Sequence, residues 1–174
     1  MSTNIARTAD RWWLQTTAGM VPLDVAAPTT GALLHDRARL DSAVAAARRS
    51  ATEQPGGAVS ANSLDLLAPV TAPARVVAQM VNYRSHARDS GLDPARVPVT
   101  FFRKTSHSLT GPTGDIVRPD GVQFLDYEIE LGLVIGRELP VGTTVTANDL
   151  ATYVAALVVA NEVSARQILS LIHI

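Results

Sequence analysis

Cysteine is absent from all 174 residues, which excludes disulfide cross-links, thiolate nucleophiles and cysteine-ligated zinc or iron–sulfur centres, and suits a reducing compartment. Lysine is reduced to Lys104, arginine supplying the rest of the 15 basic side chains. A position that keeps an ammonium against that background is a candidate for a compact charge on a flexible stem. Aromatic residues are only 5%, and the tandem Trp12 and Trp13 read as packing residues, since each ring buries a large apolar area. An excess of one charge is lacking too: 15 basic against 16 acidic side chains give a formal net charge of -1, no electrostatic footprint for nucleic acid or an anionic membrane. No apolar run reaches the roughly 20 residues of a membrane-spanning helix, and residues 1–10 carry no signal-peptide core. The glycines between Gly111 and Gly121 neither lead into Gly-Lys-Ser/Thr nor open a helix, which excludes a P-loop. The expectation is a cytoplasmic protein without nucleic-acid or membrane partners.

What is present suffices for a folded core: 47% of residues are hydrophobic and the mean hydropathy is +0.14. Residues 11–15 and 20–25 read as short strands joined by Ala18-Gly19, a small hairpin. From Thr30 to Ser50 the apolar residues Leu33, Leu34, Leu40, Val44 and Ala47 recur at helical spacing, with Asp41 as the expected cap of a second helical segment. Gln54-Pro55-Gly56-Gly57 ends it, and the small polar residues 60–63 mark a linker. The domains expected are therefore 1–65, a small N-terminal domain and linker, and 66–168. After the strand of residues 76–81, residues 84–91 read as a short helix closed by Gly91, which puts His86 and Asp89 at i and i+3 on one face. A carboxylate so placed can orient an imidazole and raise its basicity for general-base work. Ser106, His107 and Ser108 have no carboxylate at catalytic spacing and are read as loop residues.

The chemistry concentrates in residues 126–136. Alternation along a strand puts Asp126, Glu128 and Glu130 on one face and Leu125, Tyr127, Ile129 and Leu131 on the other. Like charges on one face repel, and a hard divalent cation relieves that repulsion; the bland alternative is an acidic face in water. Residues 153–162 form a largely apolar run ending in Glu162, expected at the end of a buried element and in need of a partner such as a metal or Arg166. Oxygen donors without cysteine suit magnesium, manganese or calcium better than zinc.

Four stretches in order carry a resemblance: Asn82-Tyr83 followed by His86; Phe101-Phe102-Arg103-Lys104; Asp126-Tyr127-Glu128-Ile129-Glu130-Leu131 running into Val134-Ile135-Gly136; and Asn161-Glu162-Val163-Ser164-Ala165-Arg166. Together they resemble the fumarylacetoacetate hydrolase family. The resemblance implies an α+β, mainly β protein, with a mixed β-roll catalytic domain behind a small N-terminal α+β domain. It implies Mg2+ or Mn2+, with Ca2+ as a further candidate, held by Glu128, Glu130 and Glu162, with Asp126 in support. It implies His86 and Asp89 as the catalytic pair; Lys104 is a candidate substrate-binding charge, with packing or an ion pair as the alternative. The sequence departs from the family pattern at three places: Glu162 stands where Asp is common, Asp89 where Glu is usual, and Gln167 replaces the last acid of the motif.

The activity implied is hydrolysis of a carbon–carbon bond in a 1,3-dicarbonyl or acylpyruvate-type 2-oxo acid, His86 activating water while the cation stabilises the enolate. Decarboxylase, isomerase and hydratase chemistry on the same centre are alternatives, and a non-catalytic binding or oligomerisation module is the alternative from another class. A homodimer is expected for the full-length protein. Residues 169–174 resemble a translated sequencing adapter, so the expectation is a truncated product whose β-roll is incomplete and whose apolar strands, such as residues 154–159, lack partners.

Overall fold

The structure, a computed structural model, describes residues 2–168; the expected adapter stretch lies outside them. The contacts of the described residues divide them into two compact units, residues 2–24 with 47–113 and residues 25–46 with 114–168.

The first unit begins with an antiparallel meander of β1 (Ile5–Arg7), β2 (Trp12–Thr16) and β3 (Gly19–Pro22). The expected hairpin is present, with Thr16 opposite Gly19 across the turn and Gly19 at φ 128. β1 was not foreseen, because three residues are too few to show a period. Trp12, Leu14, Met20, Val21 and Leu23 are buried, so the apolar alternation of β2 and β3 is their core face. Trp13 is half-buried and donates its indole N–H to Thr8 Oγ1 at 3.0 Å.

The chain on either side of the polar residues 60–63 is hydrogen-bonded to this meander. The Met20 N–H donates to the Val59 carbonyl at 2.8 Å, the Val59 N–H returns to the Met20 carbonyl at 3.0 Å, and the Leu67 N–H donates to the Arg7 carbonyl at 2.9 Å. Further on, β4 (Val76–Met80) pairs antiparallel with β5 (Thr100–Lys104), and α1 (Arg84–Asp89) lies between them in sequence.

Helices α2 (Thr30–His35) and α3 (Arg37–Glu53) fall where helical periodicity is read, and the division between units passes within α3. Leu40, Ala43, Val44 and Ala47 are buried at the i, i+3, i+4, i+7 spacing of one helix face. The break comes at Asp36 and not at Asp41: Asp36 Oδ1 accepts from the Arg39 N–H at 3.0 Å and caps the first turn, while Asp41 pairs with Arg37 at 3.2 Å. An acid three residues before an unsatisfied amide makes the cap; one inside the helix makes an i,i+4 ion pair.

In the second unit, β6 (Ile129–Ile135) and β7 (Val154–Asn161) form an antiparallel ribbon, and α4 (Leu150–Tyr153) runs directly into β7. Leu131 faces Val159 and Leu133 faces Leu157, with a register shift between Val134 and Ile135. A Cβ on Gly136 would collide with the Cβ of Ala155 beside that shift, which is why glycine follows the strand. The apolar run of β7 was expected to be of a buried type, and to lack partners where the roll is incomplete. In the described residues Ile129, Leu131, Leu133, Leu157 and Val159 are exposed, while Glu130, Gly132 and Val134, on the opposite face, are half-buried. The architecture is α+β and rich in strands, and no helix among the described residues is long and apolar enough to cross a membrane.

Candidate metal and proton-transfer sites

The acidic stretch is held by a ladder that begins before β6. Asp126 and Ser164 exchange both backbone hydrogen bonds, at 2.8 and 3.0 Å, and Ile129 lies opposite Asn161. The pairing offset is the same at these two points, which sets Glu128 opposite Glu162. The Glu162 N–H donates to the Glu128 carbonyl at 2.7 Å. The Glu128 N–H takes the Asn161 side-chain oxygen at 3.2 Å, so a side chain completes the ladder where it becomes irregular.

Cross-strand partners share a face, so Glu162 joins Asp126, Glu128 and Glu130 on one side of the ribbon. All four are half-buried. Like charges directly opposite each other destabilise a sheet, and the cation that the structure brings to them is Arg166. Its Nε donates to Asp126 Oδ2 at 2.9 Å and its Nη2 lies 3.1 Å from Glu128 Oε1. The hydrogen bond to Asp126 holds the Arg166 guanidinium above its ordinary range, and the nearby Glu128 adds to it against partial burial. Arg166 was anticipated as a partner for Glu162; it also meets Asp126 and Glu128, which the sequence reading did not pair with it.

Register and donor type test whether these residues suit a divalent cation. Three carboxylates on one face form an oxygen-only donor set, the kind that hard cations take. Among the described residues, no group of three His, Asp or Glu side chains is gathered closely enough to hold a metal ion. The backbone thus places Glu128, Glu130 and Glu162 on one face, with the Glu128 carboxylate turned toward Arg166.

Gln167 has a role that was missed at the level of sequence. Its Oε1 accepts from the backbone N–H groups of Gln123 and Phe124 at 2.7 and 3.3 Å, and its Nε2 donates to the Gly121 carbonyl at 2.7 Å. The acidic stretch is therefore entered from a loop pinned by the residue after Arg166. The replaced acid at this position was the available signal, because a carboxylate has no donor for the Gly121 carbonyl.

His86 and Asp89 belong to the first unit. They sit on α1 as expected, His86 half-buried and Asp89 exposed. The helix ends in a Schellman motif, with the Gly91 N–H on the Arg88 carbonyl at 2.9 Å, the Leu92 N–H on the Ala87 carbonyl at 2.8 Å, and Gly91 at φ 73. Among the described hydrogen bonds and ion pairs, none joins His86 to Asp89. The chain enters this helix through Val81 at φ 50, a left-handed conformation that a β-branched residue rarely adopts and that marks a constrained turn. Lys104, at the end of β5, places its ammonium 5.8 Å from the centre of the Phe102 ring.

The profile of the fumarylacetoacetate (FAA) hydrolase C-terminal domain matches residues 75–172, spanning His86, Lys104 and the whole acidic ladder. The chain belongs to the fumarylacetoacetate hydrolase family. Among curated proteins it is similar to the mitochondrial oxaloacetate tautomerase Fahd2a of Rattus norvegicus, 34% identical over 128 residues, covering 74% of this chain and 39% of that protein. It is also similar to the mitochondrial oxaloacetate tautomerase FAHD2A of Homo sapiens, 36% identical over 105 residues, covering 60% of this chain and 32% of that protein. The chain thus spans well under half the length of these relatives. Among solved structures, a fumarylacetoacetate hydrolase from psychrophilic Exiguobacterium antarcticum superimposes with a TM-score of 0.62 at 20% identity, covering 97% of this chain and 58% of that one. That likeness establishes the fold.

Proposed function

We propose that the protein is a divalent-metal-dependent enzyme that interconverts the keto and enol forms of a 2-oxo acid. The observation that carries this reading is the register opposing Glu128 to Glu162 on the face shared with Glu130. Glu128, Glu130 and Glu162 would hold Mg2+ or Mn2+, with Ca2+ also within the reach of oxygen donors. The bound cation would supply Lewis-acid polarisation of the 2-oxo group. Keto–enol exchange removes a proton from the carbon beside the carbonyl and places one on the carbonyl oxygen, so it balances without water or a redox partner. His86 is assigned the proton transfer, Asp89 the support of its imidazolium, and Lys104 the charge that meets a substrate carboxylate. Oxaloacetate, the substrate named for the tautomerase relatives, is the first to test.

A second reading keeps the same residues and adds water: hydrolysis of a carbon–carbon bond in an acylpyruvate, with His86 activating the water. The fold shared with a fumarylacetoacetate hydrolase supports it. Decarboxylation or hydration would use the same enolate chemistry.

The deciding experiment supplies the full-length protein and Mn2+ with enol oxaloacetate, following loss of enol absorbance, and in parallel with an acylpyruvate, following its cleavage. Faster enol decay without pyruvate release supports the tautomerase reading; acylpyruvate cleavage alone replaces it with the hydrolase. Glu128→Gln should remove the metal-dependent rate. His86→Ala should lower turnover by roughly a hundredfold or more while leaving Mn2+ binding intact. A protein that neither binds Mn2+ nor turns over either substrate is a binding module.

A further inference from the structure

The short helix that carries His86 is held from its two ends. α1 has six residues, too few for a helix to persist unaided, and Ala87 is its one buried residue. Left-handed residues bracket it, Val81 at φ 50 on the way in and Gly91 at φ 73 on the way out. At the exit the residue is glycine, where an added Cβ would meet nothing within 4 Å, and the conformation there carries no strain. At the entrance it is a β-branched valine, for which the same region is strained and persists only where the surroundings dictate it. They do so here. The ladder of β4 and β5 runs to Met80 opposite Thr100, and the Tyr83 carbonyl already accepts from the Ala87 N–H at 3.0 Å. Val81 and Asn82 alone connect that strand end to that helical turn.

A residue with a Cβ has only a small left-handed patch, near φ of roughly 50 to 70°, so a valine forced into it has little play. Glycine ranges over both signs of φ and would be unstrained but loose. Among the described residues the His86 side chain forms no hydrogen bond or ion pair, so the ring takes its place from the backbone beneath it. We propose that Val81 is a positioning residue for the proton transfer: its confined left-handed turn sets the direction in which α1 leaves β4, and with it the place of the His86 imidazole. That His86 moves the proton rests on the function proposed above; that Val81 places it rests on the turn.

Two substitutions separate the backbone from the side chain. Val81→Gly widens the turn, so kcat should fall by about ten- to a hundredfold while KM changes by less than about threefold, because a misplaced proton-transfer group is missed in the transition state. Val81→Asn also removes the isopropyl group, but its Cβ keeps the left-handed patch narrow and asparagine tolerates that patch well, so it should recover most of the lost rate. In a His86→Ala background Val81→Gly should remove nothing further, since the group through which it acts is gone. A general weakening of the fold would lower kcat in that background as well.

The full-length protein is assayed with Mn2+ on enol oxaloacetate and on an acylpyruvate, and the His86 ring signals are followed by NMR, after circular dichroism has shown that each variant keeps its fold. A kcat loss in Val81→Gly, recovered in Val81→Asn and absent from the His86→Ala background, with the His86 signal shifted or broadened in Val81→Gly alone, establishes the placement. Wild-type kcat in Val81→Gly overturns it, as does an equal loss in both variants, which traces the effect to the isopropyl group, or a further loss in the His86→Ala background. Should Val81→Gly fail to fold, Val81→Asn decides by itself: kcat near wild type with an unmoved His86 signal upholds the placement, and a loss of about tenfold or more refutes it. Wild-type protein inactive on both substrates defeats the function proposed above and leaves the ring signals to decide. A His86 signal displaced in Val81→Gly and kept in Val81→Asn then upholds the placement, and one indifferent to Val81→Gly defeats it too.

Discussion

Gln167 offers a sharp test of how the acidic stretch is positioned. Its amide makes three hydrogen bonds to one loop, accepting from the N–H groups of Gln123 and Phe124 and donating to the Gly121 carbonyl. That assignment of oxygen and nitrogen satisfies every partner, since a flipped amide would set its NH2 against two N–H donors. The loop it holds carries the buried Val122, whose carbonyl also accepts from Arg118 at 2.8 Å. A hydrogen bond contributes about 0.5–1.5 kcal/mol net, and water replaces part of that at exposed atoms, so Gln167→Ala should cost about 1–2 kcal/mol. Gln167→Glu keeps both acceptances but loses the donor and aims an oxygen at the Gly121 carbonyl, for a cost of about 1 kcal/mol. Urea unfolding of the full chain measures both, and amide hydrogen exchange separates them. Exchange at Gln123 and Phe124 should accelerate in Gln167→Ala and stay protected in Gln167→Glu, although both variants are less stable. Wild-type stability in Gln167→Ala together with unchanged exchange at those two amides would refute the idea that this side chain pins the loop.

Two further outcomes follow from local geometry. Gly19 combines φ 128 with a position where a Cβ would lie 2.7 Å from the Val59 carbonyl oxygen, so Gly19→Ala should destabilise the protein by about 2 kcal/mol or more through strain and a weakened bridge. A thermal melt no lower than wild type would show that the turn relaxes freely. Asp10 is held below the ordinary carboxylate range, first by the Thr8 hydroxyl donating at 2.7 Å and then by Arg11 at 2.9 Å. A depressed carboxylate contributes stability that is full above its unfolded pKa and disappears as pH falls through the lower folded value. Thr8→Val should therefore move the Asp10 titration upward in an NMR pH series, and an unmoved curve would assign the depression to Arg11 instead.

How much of this was legible in the sequence depends on whether the governing interaction is local. The helix carrying His86 and Asp89 was readable together with its closing glycine, because Gly91 ends it through contacts with the turn just before it, although the helix itself stops at Asp89. The alternation of residues 126–130 gave the acidic face, because strand geometry has a period of two whatever the partner. The opposition of Glu128 to Glu162 was not readable, since register between strands more than 30 residues apart is written in neither one. The same limit hid the arginine. Its separation of four residues from Glu162 suggests a local pair, and nothing local announces the carboxylates 40 and 38 residues away to which the ladder brings it. The exposure of β7 is likewise not written in its own residues: an apolar run records which residues a strand offers, while its exposure depends on what lies against each face. In the described residues the half-buried face of the ribbon bears the charges and the exposed face bears Leu131, Leu133, Leu157 and Val159. Hydrophobic patterning alone would orient this ribbon the other way. The acidic face can be the more covered one because Arg166 neutralises part of its charge from within, which ties the folding of this element to the residues proposed to meet the metal.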